Sequence, residues 1–228
     1  MSQQQFEIEI KSLLGNHQVA EELIEKMTER EPDLTKSKTR RQLNHYFEGG
    51  DLAALAKNVA PILKNAADRD RLEEIVATAK SFSLRTRQND SEVLFILKIS
   101  IDDTSSDNGT ARMEFEVPVE GLTLAQLDEL ILKSGFKYQA KWSREKTDYN
   151  YRGTTVTLSF SPGYGYVAEF EKIVTDPKLA DQTKAELRGQ MAELGVEELA
   201  QDRLARMFAY YNANWPDYYG TDKVFEIQ

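Results

Sequence analysis

The 228 residues are 40% apolar and 29% charged, with a net charge of −9 and no cysteine, which describes a folded chain able to bury a full core. Disulfides and thiolate metal sites are excluded, and so acidic a chain is not expected to offer a broad nucleic-acid footprint. No apolar run approaches the roughly 20 residues of a membrane span, and a charged segment begins by Glu7 without a signal- or transit-peptide pattern, so a cytoplasmic address with neither membrane nor nucleic-acid partner is expected.

Phe6–Lys11 opens the chain as a strand, with Phe6, Ile8 and Ile10 on one face and Glu7, Glu9 and Lys11 on the other. Gln18–Arg30 spaces Val19, Leu23, Ile24 and Met27 at helical period. Asp51–Lys64 and Arg69–Lys80 also read as helices, the first kinked or ended by Pro61. Strands are predicted at Ser81–Arg87, Val93–Ile101 and Ala111–Val117, with Asp107-Asn108-Gly109 between the last two as turn chemistry. Thr123 caps a helix that Gly135 stops. Tyr138–Arg144, Thr154–Phe160 and Tyr164–Val174 are further strands. Asp176-Pro177 then opens a helix over Leu179–Leu194, and a last helix covers about Val196–Asn212. The order indicates an α+β fold: an antiparallel barrel or strongly curved sheet with external and C-terminal helices.

Several strand faces are dominated by charge. Arg85 and Arg87 share a face, Lys98 ends the apolar run Leu94–Leu97, and Arg112, Glu114 and Glu116 share another. Glu169 and Glu171 repeat the opening pattern near the end of the sheet-forming region. An ordinary sheet with one solvated face also alternates apolar and polar residues, but such faces mix Thr, Ser, Gln and Lys. Like charges on neighbouring strands repel unless they share a counter-ion. Clustered carboxylates suit Mg²⁺ or Mn²⁺, and paired arginines suit phosphate oxygens. His17 and His45, the only histidines, offer too little for a histidine-based site and are expected to be solvated or packed.

The Glu7-x-Glu9-x-Lys11 opening resembles the signature of the CYTH family, which includes class IV adenylyl cyclases, thiamine triphosphatases and inorganic tripolyphosphatases. The resemblance continues in order. Gln42–Phe47 is similar to the family's second strand, Arg85-x-Arg87 to its Arg-x-Arg strand, and Lys98 to the following lysine. Arg112-x-Glu114-x-Glu116 and Arg144 match later strands, and Gly163-Tyr-Gly165 with Glu169-x-Glu171 resembles the glycine turn and closing strand. Two departures stand out: Ser159 occupies a position where the family usually carries Asp, and Glu48–Lys80 is an insertion long enough for two helices.

The chain is expected to be a single domain of this kind over residues 1–228, with C-terminal helices from about 176 and an added helical segment at about 48–80 that the resemblance does not explain. The resemblance implies a closed, eight-stranded antiparallel β-barrel with these charges turned into a tunnel. Six acids there would balance six bases, so bound Mg²⁺ or Mn²⁺ would make the interior positive. Lys11, Arg85, Arg87, Lys98, Arg112 and Arg144 would bind phosphate, and Glu7, Glu9, Glu114, Glu116, Glu169 and Glu171 would hold metal. Glu7 and Glu9, with Lys11 beside them, would orient a nucleophilic water. The expected activity is hydrolysis of inorganic tripolyphosphate or an organic triphosphate. Formation of cyclic AMP from ATP, and non-catalytic polyphosphate or nucleotide binding, are the alternatives. Exposed faces on the added helices are compatible with a homodimer. Removing Glu169 or Glu171 is expected to relieve repulsion in the metal-free protein.

Overall fold

The computed structural model describes residues 6–79, 81–100 and 112–225. In chain order the elements are β1 (Phe6–Gly15), α1 (His17–Arg30), β2 (Thr35–Lys36), β3 (Arg40–Gly49), α2 (Leu52–Val59), α3 (Ala66–Thr78), β4 (Ser81–Asn89), β5 (Glu92–Ser100) and β6 (Arg112–Pro118). They continue with α4 (Leu124–Lys133), β7 (Phe136–Tyr151), β8 (Thr154–Ser161), β9 (Gly165–Val174), α5 (Ala180–Leu194) and α6 (Gln201–Tyr218). Pro61 acts as expected: α2 ends at Val59 and only a 3-10 turn, Ala60–Ile62, follows. The expected turn at 107–109 lies outside the described residues.

Among the described residues the sheet has nine strands in the order β1-β9-β8-β7-β3-β4-β5-β6, with the short β2 paired to β7. Among the described residues β1 and β6 stand at opposite ends of that order and do not pair with each other. The expectation of a closed eight-stranded barrel, and with it a closed tunnel, is therefore corrected to an open antiparallel sheet. Closure was what the resemblance implied, whereas the alternation of charged and apolar residues is equally the pattern of an open sheet whose apolar face is covered by helices. Residue-to-residue contacts divide the chain into two compact units, 1–41 with 143–228 and 42–142. The strands β3 and β7 run through the division.

In the first unit α1 and α5 cover one face of β1, β9 and β8. Leu23 and Met27 of α1, and Leu187, Met191 and Leu194 of α5, bury against Ile10, Leu14, Val156, Leu158, Ala168 and Phe170. Fully burying side chains of this kind contributes about 1.5–3 kcal/mol each, which fixes which strand face turns to the helices. The opposite face receives Glu9, Lys11, Glu169 and Glu171 by alternation. Gly165 allows the β8–β9 turn to approach the end of β1: its φ is +75°, and a Cβ there would overlap the Gly15 carbonyl. Beyond α6, Gly163 donates to the Lys223 carbonyl and accepts from the Phe225 N–H. Phe225 packs with Tyr164, Tyr210 and Tyr218, and burial pushes the Tyr164 and Tyr211 phenols up. These aromatics pack against one another.

In the second unit the inserted segment proves to be core-forming. Leu55 and Val59 of α2, Leu72 and Ile75 of α3, and Leu127 and Ile131 of α4 pack on Leu84, Phe95, Leu97 and Phe115. His45 is buried in this unit. Its Nδ1 lies 2.6 Å from Asp128, which also accepts from Thr86 at 2.6 Å and Tyr138 at 2.8 Å. Each carboxylate oxygen is thus satisfied within an apolar surround, as a buried polar cluster requires. His17 is exposed on α1, 3.3 Å from Glu21.

Candidate active site

The register of the first unit builds a charged face across four strands. Glu9 lies opposite Glu171, and Lys11 opposite Glu169, in the β1–β9 ladder. Thr157 of β8 lies opposite Glu169 on one side and opposite Asp148 of β7 on the other. Side chains directly opposite share a face, so the side of this sheet turned away from α1 and α5 collects Glu9, Lys11, Glu169, Glu171, Thr157, Asp148, Lys146 and Arg144.

The contacts form a chain of ion pairs. The Lys11 ammonium donates to Glu9 and, at 2.7 Å, to Glu169. Arg144 approaches Glu169 at 3.7 Å. Lys146 lies 3.4 Å from Asp148, whose other partners are Arg40, at the start of β3, and the Thr157 hydroxyl at 2.8 Å. Burial disfavours the ammonium of Lys11, but Glu169 and Glu9 outweigh it and hold its pKa above the ordinary lysine value. Burial likewise opposes the Glu169 carboxylate, yet Lys11, Arg144 and Lys146 keep its pKa below the usual range. The same reversal holds at Asp148, where the Thr157 hydroxyl, Lys146 and Arg40 overcome burial.

The second unit carries its own charged face. Arg87 donates to Asn44 at 2.8 Å and lies 3.5 Å from Glu116. Arg85 donates to the Tyr46 hydroxyl at 3.0 Å, its guanidinium 5.7 Å from that ring's centre. Lys98 pairs in register with Ser83 and Glu114, and Arg112 with Ser100. The side chains of Glu7, Arg112 and Glu114 lie outside the described residues; Glu7 holds the backbone position opposite Ile173.

The expected acids and bases are therefore gathered as two sets. Glu9, Lys11, Arg144, Glu169 and Glu171 belong to the first unit, and Arg85, Arg87, Lys98 and Glu116 to the second. The expected metal cluster is not preassembled: among the described residues no group of three acid or histidine side chains is placed to hold a metal ion. The Lys11 ammonium occupies the space between Glu9 and Glu169 that a cation would take. The donor set itself suits a hard divalent cation, since Glu9 and Glu171 face each other as like charges across one ladder.

Three functional candidates escaped the sequence pattern: Arg40, Lys146 and Asp148. The signal was present in Arg152-Gly153, the turn between Tyr151 and Thr154, both residues at positive φ. A two-residue turn of this kind fixes a hairpin register, which places Asp148 opposite Thr157.

The CYTH domain model matches residues 74–204, more than half of the chain, and the chain belongs to that family. Among solved structures, a conserved hypothetical protein of Pyrococcus furiosus matches at TM-score 0.57 and 18% identity, covering 86% of this chain and 98% of that one. The PH1819 protein of Pyrococcus horikoshii matches at TM-score 0.55 and 20% identity, covering 88% and 98%. A Vibrio parahaemolyticus protein provisionally assigned as an adenylate cyclase matches at TM-score 0.55 and 13% identity, covering 91% and 99%. At these identities the likeness is one of fold. No curated protein matches the chain by sequence.

Proposed function

We propose that the protein is a divalent-metal-dependent triphosphatase acting on inorganic tripolyphosphate or an organic triphosphate. The observation that carries this reading is the ion-pair chain Glu9–Lys11–Glu169–Arg144 on the face of the first unit turned away from α1 and α5. It gathers cations able to bind phosphate oxygens beside carboxylates able to hold a metal ion, which is the inventory of phosphoryl transfer. Membership of the CYTH family supports the same chemistry.

In this reading Lys11 and Arg144 exchange their carboxylate partners for phosphate oxygens, with Lys146 supplying a further cation. Glu9, Glu169 and Glu171 would hold Mg²⁺ or Mn²⁺, which supplies charge neutralisation of the phosphates. Glu9, released from Lys11, accepts a hydrogen bond from the attacking water and orients it. Arg85 and Arg87 give the second unit a phosphate-binding face of its own.

The test compares Lys11→Ala and Arg144→Ala with Lys172→Ala. Lys172 pairs with Glu186 on the helix-covered side of the same sheet. Tripolyphosphate hydrolysis with Mg²⁺ falls at least about a hundredfold in the first two, by the loss of charge-assisted bonds to the reacting group, and is unchanged in the third. Equal activity in all three would sink the proposal.

A further inference from the structure

Arg40 is the one cation of the first-unit face that stands on β3, and neither the charge pattern nor the family resemblance singled it out. Its side chain is 42% exposed and its guanidinium pairs with Asp148, while the Nε atom itself is shielded and has no hydrogen-bond partner. A buried donor left unmade is costly, and an arginine offers donors in a planar fork suited to an oxyanion. Asp148 meanwhile serves two cations, Arg40 and Lys146, and accepts from the Thr157 hydroxyl on the neighbouring strand. Arg40 thus shares its one carboxylate with Lys146, and its unused Nε leaves a direction open for a further anion.

We infer that Arg40 is a further phosphate-binding residue, and that Asp148 is a built-in anion that holds Arg40 and Lys146 until a phosphate group takes its place. The inference rests on the reading that this face binds phosphates, and it deepens that reading. Thr157 separates Glu169 from Asp148 in the ladder, so these two carboxylates stand two strand spacings apart, about 10 Å. A single phosphate does not span that distance, whereas a condensed phosphate chain extends along it. Arg40 therefore favours tripolyphosphate over orthophosphate, and Asp148 sets the cost of entry at that end.

A structural ion pair and an anion subsite differ in sign. If the pair only stabilises the fold, removing either partner weakens binding alike. If Asp148 competes with ligand, removing it strengthens binding while removing Arg40 weakens it. The experiment is calorimetric titration of the full chain with tripolyphosphate and with orthophosphate, without metal. Arg40→Gln weakens tripolyphosphate binding about tenfold, the scale of a lost hydrogen bond to a charged group, and affects orthophosphate little. Arg40→Lys, which keeps the charge on Asp148 but lacks Nε, also weakens it. Asp148→Asn tightens tripolyphosphate binding severalfold.

Arg41→Gln and Glu145→Gln are the charge controls, because that pair lies at 2.7 Å on the opposite face of the same strands. Effects of the controls equal to those of Arg40→Gln and Asp148→Asn would reduce the result to net charge and overturn the inference. So would weakening by Asp148→Asn, or full affinity in Arg40→Lys. Tripolyphosphate affinity equal in the parent and Lys11→Ala, or absent from the parent, would instead overturn the underlying reading of the face.

Discussion

Replacing Glu169 by Gln tests the charged face most economically, because the substitution keeps shape and removes one charge. The sequence pattern placed Glu169 among repelling acids, so that its loss should ease the metal-free protein. The structure reverses the sign: Glu169 is 17% exposed and held by Lys11 at 2.7 Å and Arg144 at 3.7 Å. Breaking a fully buried pair costs about 3–5 kcal/mol, whereas an exposed pair contributes roughly 0–1 kcal/mol. A mostly buried pair lies between, so Glu169→Gln destabilises by about 2 kcal/mol. For a chain of this size that is a fall in Tm of about 4–8 °C.

The pH dependence follows from linkage. The Glu169 pKa is held below its ordinary 4.5, so its contribution is complete above about pH 4.5 and is lost as pH falls through the lower folded value. The Lys11 pKa is raised above 10.5, so its contribution is complete below about pH 10.5 and is lost as pH rises through the higher folded value. Circular-dichroism melting of parent and variant should therefore show a constant gap near neutrality that closes on acidification below about pH 4.5. A variant that melts at or above the parent at pH 7 would refute the reasoning and restore repulsion as the dominant effect.

Other substitutions probe the framework around this face. Gly165→Ala should cost about 3 kcal/mol or more, since it combines a strained positive φ with overlap on the Gly15 carbonyl; an unchanged denaturation midpoint would show that the turn has room. Asp128→Asn should cost about 2–3 kcal/mol by disturbing three buried hydrogen bonds. Its turnover per folded molecule should be preserved, and a selective loss of turnover would give the His45–Asp128 pair a chemical role. Tripolyphosphate should raise the Tm of the parent more than that of an Arg85→Ala/Arg87→Ala variant. The stabilisation is about 2.7 kcal/mol at a hundredfold excess over Kd, and equal shifts would remove that strand from phosphate binding.

The strands that alternate apolar and charged residues could be read directly. Glu9 and Lys11 turn away from Ile8 and Ile10, and Glu169 turns away from Ala168 and Phe170, because each apolar partner is drawn to the helix-covered side. Closure of the sheet was not legible, since an open sheet with one apolar face produces the same alternation. The length of β7 was hidden for a different reason. Glu145–Asn150 is polar and contains Asp and Asn, which favour turns, yet pairing with β8 carries the strand through to Tyr151. Lys146 and Asp148 were lost with that segment. Arg40 was missed because its strand begins before the apolar residues that mark it. The insertion after β3 was recognised as helical, but its role appeared only in the packing of Leu55, Val59, Leu72 and Ile75 against the second-unit sheet.

Triphosphate hydrolysis is distinguished from cyclisation and from mere binding by the products formed with Mg²⁺ from tripolyphosphate, thiamine triphosphate and ATP. Hydrolysis releases free phosphate, which is expected from at least one of the three and should be abolished by Lys11→Ala. Cyclic AMP with pyrophosphate from ATP, or no turnover of any triphosphate, would contradict it.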